Sequence, residues 1–189
     1  YPQAAIAPMN FEGAAVKEYD ELAMTIEQNF GRLDGLLHNA GILGARSPVE
    51  LYDPETWNRV MQVNATAPFL MSRALIPLLR KSSDASVIFT SSGVGRQARA
   101  YWGAYAVSKF AVEGLSQLLA DELDDEHHNI RVNSLNPGAT RTGMRMLAYP
   151  AEDPNKNPAP EALMPVYLYL MGKDSRELNG QQIDAQPKK

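Results

Sequence analysis

Short apolar segments alternate with longer stretches of helical periodicity along this chain, and no other feature limits its fold as tightly. Leu33 to His38, Ser86 to Thr90 and Ile130 to Leu135 read as buried strands, each running into a polar or glycine-containing loop. Gln181 to Asp184 reads as a last short strand, and Gln3 to Phe11 carries an apolar stretch that reads as a first one. Between them lie helices. Val16, Tyr19, Leu22, Ala23, Ile26 and Phe30 keep helical spacing over Ala15 to Phe30, and Gly31 stands where a helix stop belongs. Asp53-Pro54-Glu55 is a helix start, with Asp as N-cap and Pro in the first turn; that helix is expected to reach about Arg80, bending or stopping at Pro68 and Pro77. Gly103 to about Glu126 reads as a long helix and Pro160 to Gly172 as a shorter one containing Pro165. Strands alternating with helices specify an α/β domain with a mostly parallel sheet. Thr142 to Pro160 holds four prolines and no sustained periodicity, so a loop or lid is expected there.

Composition narrows the function. A chain of 189 residues with 44% apolar and 21% charged residues is one ordinary globular domain. Its 18 basic and 22 acidic residues leave a net charge of −4, which gives no electrostatic reason to expect nucleic acid or an anionic membrane as partner. The longest apolar run, Val166 to Met171, is far too short to span a bilayer. The absence of cysteine excludes disulfides, thiolate metal sites and a cysteine nucleophile, and fits a cytoplasmic location.

The strongest chemical signal is Tyr105 followed four residues later by Lys109, a spacing that puts both on one helix face. A lysine ammonium near a phenol favours the phenolate, and so makes the tyrosine a usable general acid or base nearer neutral pH. Tyr169 and Lys173 repeat the spacing, but context separates the two: Ser92, just past a buried strand, lies 13 residues before Tyr105, whereas Lys156 holds that place before Tyr169. Tyr169 is accordingly read as a core residue beside a surface lysine. In parallel sheets ligands bind beyond the carboxyl ends of strands. Asn39-Ala40-Gly41, Ser91-Ser92-Gly93 and Asn136-Pro137-Gly138 fall at such ends, and Asn64 lies within the helix after the first of them. Arg96 and Arg99 read either as a substrate mouth or as plain surface. Met144, Met146, Leu147 and Tyr149 either line a pocket or dock a lid. His127-His128 reads as a solvated helix end rather than a metal site, and Asp121 to Glu126 as a solvated face.

Taken together these elements resemble the short-chain dehydrogenase/reductase family over nearly the whole chain, from about Ala5 to Ala185. Asn39-Ala40-Gly41 is similar to the family's N-A-G element. Asn64, Ser92, Tyr105 and Lys109 fall in the order and spacing of its catalytic tetrad, and Asn136-Pro137-Gly138 with Thr142 resembles its P-G-x-x-x-T element. The stretches from His38 to Gly41, Ser91 to Gln97 and Arg141 to Arg145 look most like the bacterial YciK-type oxidoreductases. The resemblance implies a Rossmann-like, doubly wound parallel sheet in a three-layer α/β/α domain. It implies an NAD- or NADP-dependent oxidoreductase acting on a small-molecule carbonyl/alcohol pair, working as a homodimer or homotetramer. Tyr105 would then pass a proton to or from the substrate oxygen. Lys109 would lower the Tyr105 pKa and hold the nicotinamide ribose, Ser92 would hydrogen-bond the substrate oxygen, and Asn64 would hold a relay water. Asn10 would lie against adenine and Gly41 would let backbone approach the cofactor. Asn39, Ala40, Pro137, Gly138, Thr140 and Thr142 would complete its site; for Thr142 the other reading is a helix N-cap.

One family signature is missing: the Gly-rich turn between the first strand and first helix, which supports a pyrophosphate at a helix N-terminus. Together with the start at Tyr1-Pro2-Gln3, this leads to the expectation of an N-terminally incomplete single domain over 1–189, lacking the family's first two strands and helices. A substrate loop is expected within it at 143–160. On that expectation the 189-residue chain by itself binds dinucleotide poorly. The alternative is a non-catalytic fragment or binding module. A serine hydrolase built on Ser92 is the weakest reading, because no Gly-x-Ser-x-Gly surrounds it.

Overall fold

In the computed structural model, residues 4–125 and 128–187 are described. Helix α1 (Val16–Phe30) opens where Glu18 reaches back to the Ala15 amide at 2.9 Å, and it closes at Gly31, whose φ of 75° lets its N–H reach the Glu27 carbonyl. Strand β1 (Gly35–His38) follows. Asp53 caps α2 (Pro54–Met61), its carboxylate accepting from the Thr56 amide at 2.8 Å. The helix does not stop at Pro68. It widens over Gln62–Thr66 into one π turn, in which the Ala67 amide reaches back to Gln62, and continues as α3 (Ala67–Leu79). Pro68 has no N–H to offer the Asn64 carbonyl, so a widened turn costs little at that point.

Strand β2 (Ala85–Thr90), helix α4 (Gly103–Glu122), a two-residue strand β3 (Asp124–Asp125) and strand β4 (His128–Asn136) come next. They are followed by α5 (Gly143–Ala148), α6 (Met164–Met171) and β5 (Gln182–Asp184). The parallel strands lie in the order β1-β2-β4-β5, and β3 pairs antiparallel with the start of β4. Val87, Phe89, Ile130 and Val132 face Leu79 of α3 and Val112 and Leu119 of α4. Ile88 and Leu135 face Leu170 of α6 on the other side. This is the expected three-layer α/β/α sandwich, with strands buried on both faces.

Four local expectations are corrected. Residues 4–10 form no strand, because among the described residues no strand lies beside them to take up their amides and carbonyls. Instead the Asn10 carbonyl and side chain accept from Gly13, Ala14 and Glu12, turning the chain into α1. Helix α4 ends at Glu122, earlier than expected, because Leu123 turns down into the core and Asp124–Asp125 pair with β4. His128 therefore begins a strand and is not a helix end; Glu126 and His127 lie outside the described residues. Asp125 is ion-paired with Arg80 at 2.8 Å, so the acidic stretch is not wholly a solvated face. At the start of the expected loop at 143–160, Thr142 accepts from the Arg145 amide at 3.2 Å and so caps the short helix α5. Pro165 is harmless to α6, because the first amides of a helix have no partner within it. No helix among the described residues is long and apolar enough to cross a membrane.

One buried charge sits in the sheet itself. Arg131 of β4 pairs with Asp84, donates to the Gly172 carbonyl at 2.7 Å and reaches Ser175 at 3.3 Å. Burial pushes the Asp84 carboxyl up, but hydrogen bonds from Arg131 and Arg176 outweigh it and hold the group below its ordinary range. Asp84→Asn leaves Arg131 buried without a counter-charge. The expected outcome is a loss of about 3 kcal/mol of unfolding free energy at neutral pH, read from urea titration. Because the native carboxyl is depressed, the wild-type advantage is present at neutral pH and disappears as pH falls through the native pKa.

Candidate active site

Three loops leave the carboxyl ends of β1, β2 and β4 at one level and enclose a cleft of about 760 Å³. Asn39, Ala40 and Gly41 come from the first loop, Ser91 and Ser92 from the second, and Pro137, Gly138, Thr140 and Thr142 from the third. Tyr105 and Lys109 enter from α4, and Met144, Arg145 and Ala148 of α5 cover the opening.

Ser92 is extended and opens a tight turn in which its carbonyl accepts from the Gly95 amide at 2.9 Å. That turn lies directly on α4: a side-chain carbon on Gly95 would stand 2.7 Å from Lys109 Cβ and 2.8 Å from its carbonyl carbon. Only glycine permits the approach. It brings the Ser92 side chain up to the Tyr105 phenol, where it acts to favour the phenolate.

Tyr105 is buried beside Trp102, with ring centres 5.8 Å apart. Burial raises its pKa, and the Ser92 hydrogen bond only partly opposes this. Lys109 is 5% exposed and donates to the Thr90 carbonyl at 2.7 Å. Burial pulls its pKa down to about 8, against the opposing charge of Glu113. The expected lowering of the Tyr105 pKa by Lys109 is therefore corrected for this structure. The ammonium stands 5.8 Å from the centre of the ring, bonded to the Thr90 carbonyl, and desolvation of the phenol dominates.

Asn64 lies in the π turn and is 1% exposed. Its side chain does not bond its own helix backbone: Oδ1 accepts from the Ile42 amide at 2.8 Å, and Nδ2 donates to the Ile42 carbonyl at 2.9 Å and to Ser108 at 3.0 Å. A side-chain carbon on Gly41 would stand 3.3 Å from Asn64 Oδ1 and 3.8 Å from Lys109 Nζ, so these three positions are neighbours. Asn39 accepts from the Thr90 hydroxyl at 3.2 Å. Gly138 has a φ of 72°, and its amide is held by Asn136 Oδ1 at 3.1 Å. Asn10, exposed and engaged in its own turn, is not among the residues lining the cleft.

Several residues take places the sequence did not indicate. Arg96 does not face the mouth; it is held by Glu113 and Asp184, each at 2.8 Å, whereas Arg99 is exposed. Of the apolar group in α5 and after it, Met144 lines the cleft and Tyr149 docks on Trp102, while Met146 and Leu147 are exposed. Tyr169 is half-exposed on α6 rather than core, and it does not line the cleft. Arg46 went unremarked in the sequence. Its guanidinium stacks 4.8 Å from the Trp102 ring centre and 5.3 Å from that of Tyr149, and it donates to the Ala148 carbonyl, tying α5 down. Gln186, from the tail, closes the third loop by donating to the Pro137 and Ala139 carbonyls at 2.7 and 2.9 Å. No local pattern marks either residue, since each acts on a partner far away in the chain.

Comparison with known proteins bears on this arrangement. The model of the family described as short chain dehydrogenase matches residues 2–153. The chain belongs to the short-chain dehydrogenase/reductase family. Within that family it is 55% identical over 167 residues to the uncharacterized oxidoreductase YciK of Escherichia coli strain K12, matching over 88% of this chain and 65% of that protein. It thus spans less than two thirds of the length of that curated relative. A short chain dehydrogenase from Pseudomonas syringae is 59% identical and superposes with a TM-score of 0.93 over 95% of this chain and 72% of that one. One from Shigella flexneri, solved in complex with NADP, is 51% identical with a TM-score of 0.91, over 95% and 74% of the two chains.

In this short-chain dehydrogenase/reductase the buried Lys109 is expected to titrate near pH 8, well below the ordinary lysine value of about 10.4. Carbon-detected NMR of the lysine Cε resonances between pH 6 and 11 checks it, with Lys109→Met to assign the signal.

Proposed function

We propose that this protein is an NAD(P)-dependent oxidoreductase that interconverts a carbonyl and an alcohol by hydride transfer, with Tyr105 as general acid/base. The observation that carries the reading is the meeting of Ser92, Tyr105, Lys109 and Gly41 at one cleft, from three separate segments of the chain, with buried Asn64 bonded to Ile42 behind them. The family and the NADP complex of the Shigella flexneri relative support it over a non-catalytic binding module.

The cleft suits a dinucleotide. Glycine at 41 leaves clear the space beside the Lys109 ammonium that a side-chain carbon would fill at 3.8 Å, and the buried Ser91 hydroxyl has no partner of its own among the described residues. Asn39, Ala40, Gly41, Tyr105, Lys109, Pro137, Gly138, Thr140 and Thr142 would hold the group, with Asn10 at the adenine end. Bound NAD(P) supplies or accepts the hydride. Ser92 and Tyr105 orient the substrate oxygen by hydrogen bonds where charge develops. The raised pKa keeps the Tyr105 phenol protonated at neutral pH, the form that donates a proton to a carbonyl oxygen. Lys109 holds positive charge beside the phenol, and Asn64 fixes the backbone at Ile42 behind it. Leu43, Trp102, Met144 and Ala148 give the substrate an apolar wall, with α5 as its cover.

The test is oxidation of NADPH by the intact protein against a panel of aldehydes and ketones. Tyr105→Phe is expected to lower kcat by roughly 10²- to 10⁴-fold. Retention of full activity by that variant would overturn the mechanism. Phe69, Val107, Phe110 and Leu118 stand exposed on α3 and α4, and with them we expect a homodimer or homotetramer, read as the mass in multi-angle light scattering.

A further inference from the structure

One turn along α4 from Lys109 lies Glu113, a carboxylate 3% exposed and not used in the chemistry above. Its three donors come from three other elements: Arg96 Nε at 2.8 Å from the turn after Ser92, Ser134 Oγ at 2.6 Å from β4, and Gln182 Nε2 at 2.9 Å from the start of β5. Arg96 continues the network to Asp184 at 2.8 Å and to the Ile183 carbonyl at 3.1 Å. Asp184 accepts from Asn136 Nδ2 at 2.9 Å, and the other end of that amide holds the Gly138 N–H. An unbroken path of directional bonds therefore joins the helix of Tyr105 and Lys109 to the Ser92 turn on one side and to the Pro137-Gly138 loop on the other.

We propose that Glu113 is a positioning residue: with Arg96 it holds the three segments that carry the site in one register and supplies the counter-charge to Lys109. Apolar packing would bury these positions at less electrostatic cost, but it does not fix register as three charge-assisted hydrogen bonds do. The backbone contact between Gly95 and Lys109 leaves no slack for the Ser92 turn to shift along α4, so the pairing beside it decides where that turn sits. The titratable groups around Lys109 are Tyr105 and Glu113 on its own helix, with Arg96 and Asp184 beyond Glu113; the Thr90 carbonyl and the Gly41–Asn64 contact complete its surroundings. The proposal rests on the oxidoreductase reading for its catalytic consequence but not for its electrostatic one.

Two charge-removing variants of opposite sign test it. Glu113→Gln removes a negative charge and is expected to move the Lys109 titration to lower pH by about one unit; Arg96→Gln removes the neutralising cation and is expected to move it to higher pH. In turnover, Glu113→Gln is expected to lower kcat about tenfold with KM for the carbonyl little changed, the pattern of a misplaced transition-state contact. A purely structural role would shift stability without this pair of opposed titration changes. Folding is checked by circular dichroism, and should Glu113→Gln not fold, Arg96→Gln alone decides. Unchanged Lys109 titration in a folded variant would overturn the proposal. A wild-type protein that fails to reduce any carbonyl would sink the oxidoreductase reading while leaving the titration result standing.

Discussion

Strand β2 lies parallel to β4 from Ala85 opposite Ile130 to Thr90 opposite Leu135, and both are buried between helices. The rest of the structure depends on this pairing. This register brings the carboxyl ends of the two parallel strands to one level, and the Ser91 amide still reaches the Leu135 carbonyl at 2.8 Å as the chains leave the sheet. Ser92 and Asn136 thus depart side by side. A slip of one residue would turn Val87 and Phe89 from α4 toward α6 and carry Ser92 away from Tyr105.

Helix α4 converts that level edge into a site. It packs Val112 and Leu119 on the sheet and raises Tyr105 and Lys109 past its end. Both are then buried polar groups, and burial acts on them in opposite senses: it keeps the phenol neutral and loosens the proton on the lysine. The two pKa values, nearly equal for free side chains, are thereby pushed apart, the lysine below its ordinary value and the phenol above it, so the pair keeps a neutral proton donor beside a lysine that titrates more readily. The same polar framework extends outward through Glu113, Arg96 and Asp184, while Arg46 holds α5 over the opening by stacking on Trp102 and Tyr149.

Much of this was legible in the residues. Asp53-Pro54 named a helix start, Gly31 a helix end, and the buried runs at 86–90 and 130–135 two central strands. All are local effects of caps, backbone freedom and side-chain periodicity. The cleft residues were legible too, because loops at the ends of parallel strands converge. Errors arose where a distant partner decides. Residues 4–10 read as a strand by composition, yet an extended segment needs a neighbour to become one. Arg96 read either as a substrate mouth or as plain surface because its partners Glu113 and Asp184 lie 17 and 88 residues away. Tyr169 read as core because apolar neighbours in sequence are not neighbours in space.

The sequence by itself determined the alternation of strands and helices, the caps that punctuate them and the set of side chains able to do proton chemistry. These follow from interactions that span at most a turn or two of chain. Tertiary structure alone decided that Glu113 meets Arg96, that Arg96 is a strut rather than a ligand, that Asn64 holds the loop at Ile42 and that Gln186 closes the Pro137 turn. Desolvation and directional hydrogen bonds between distant segments set those outcomes, and both come into being only once the chain has packed.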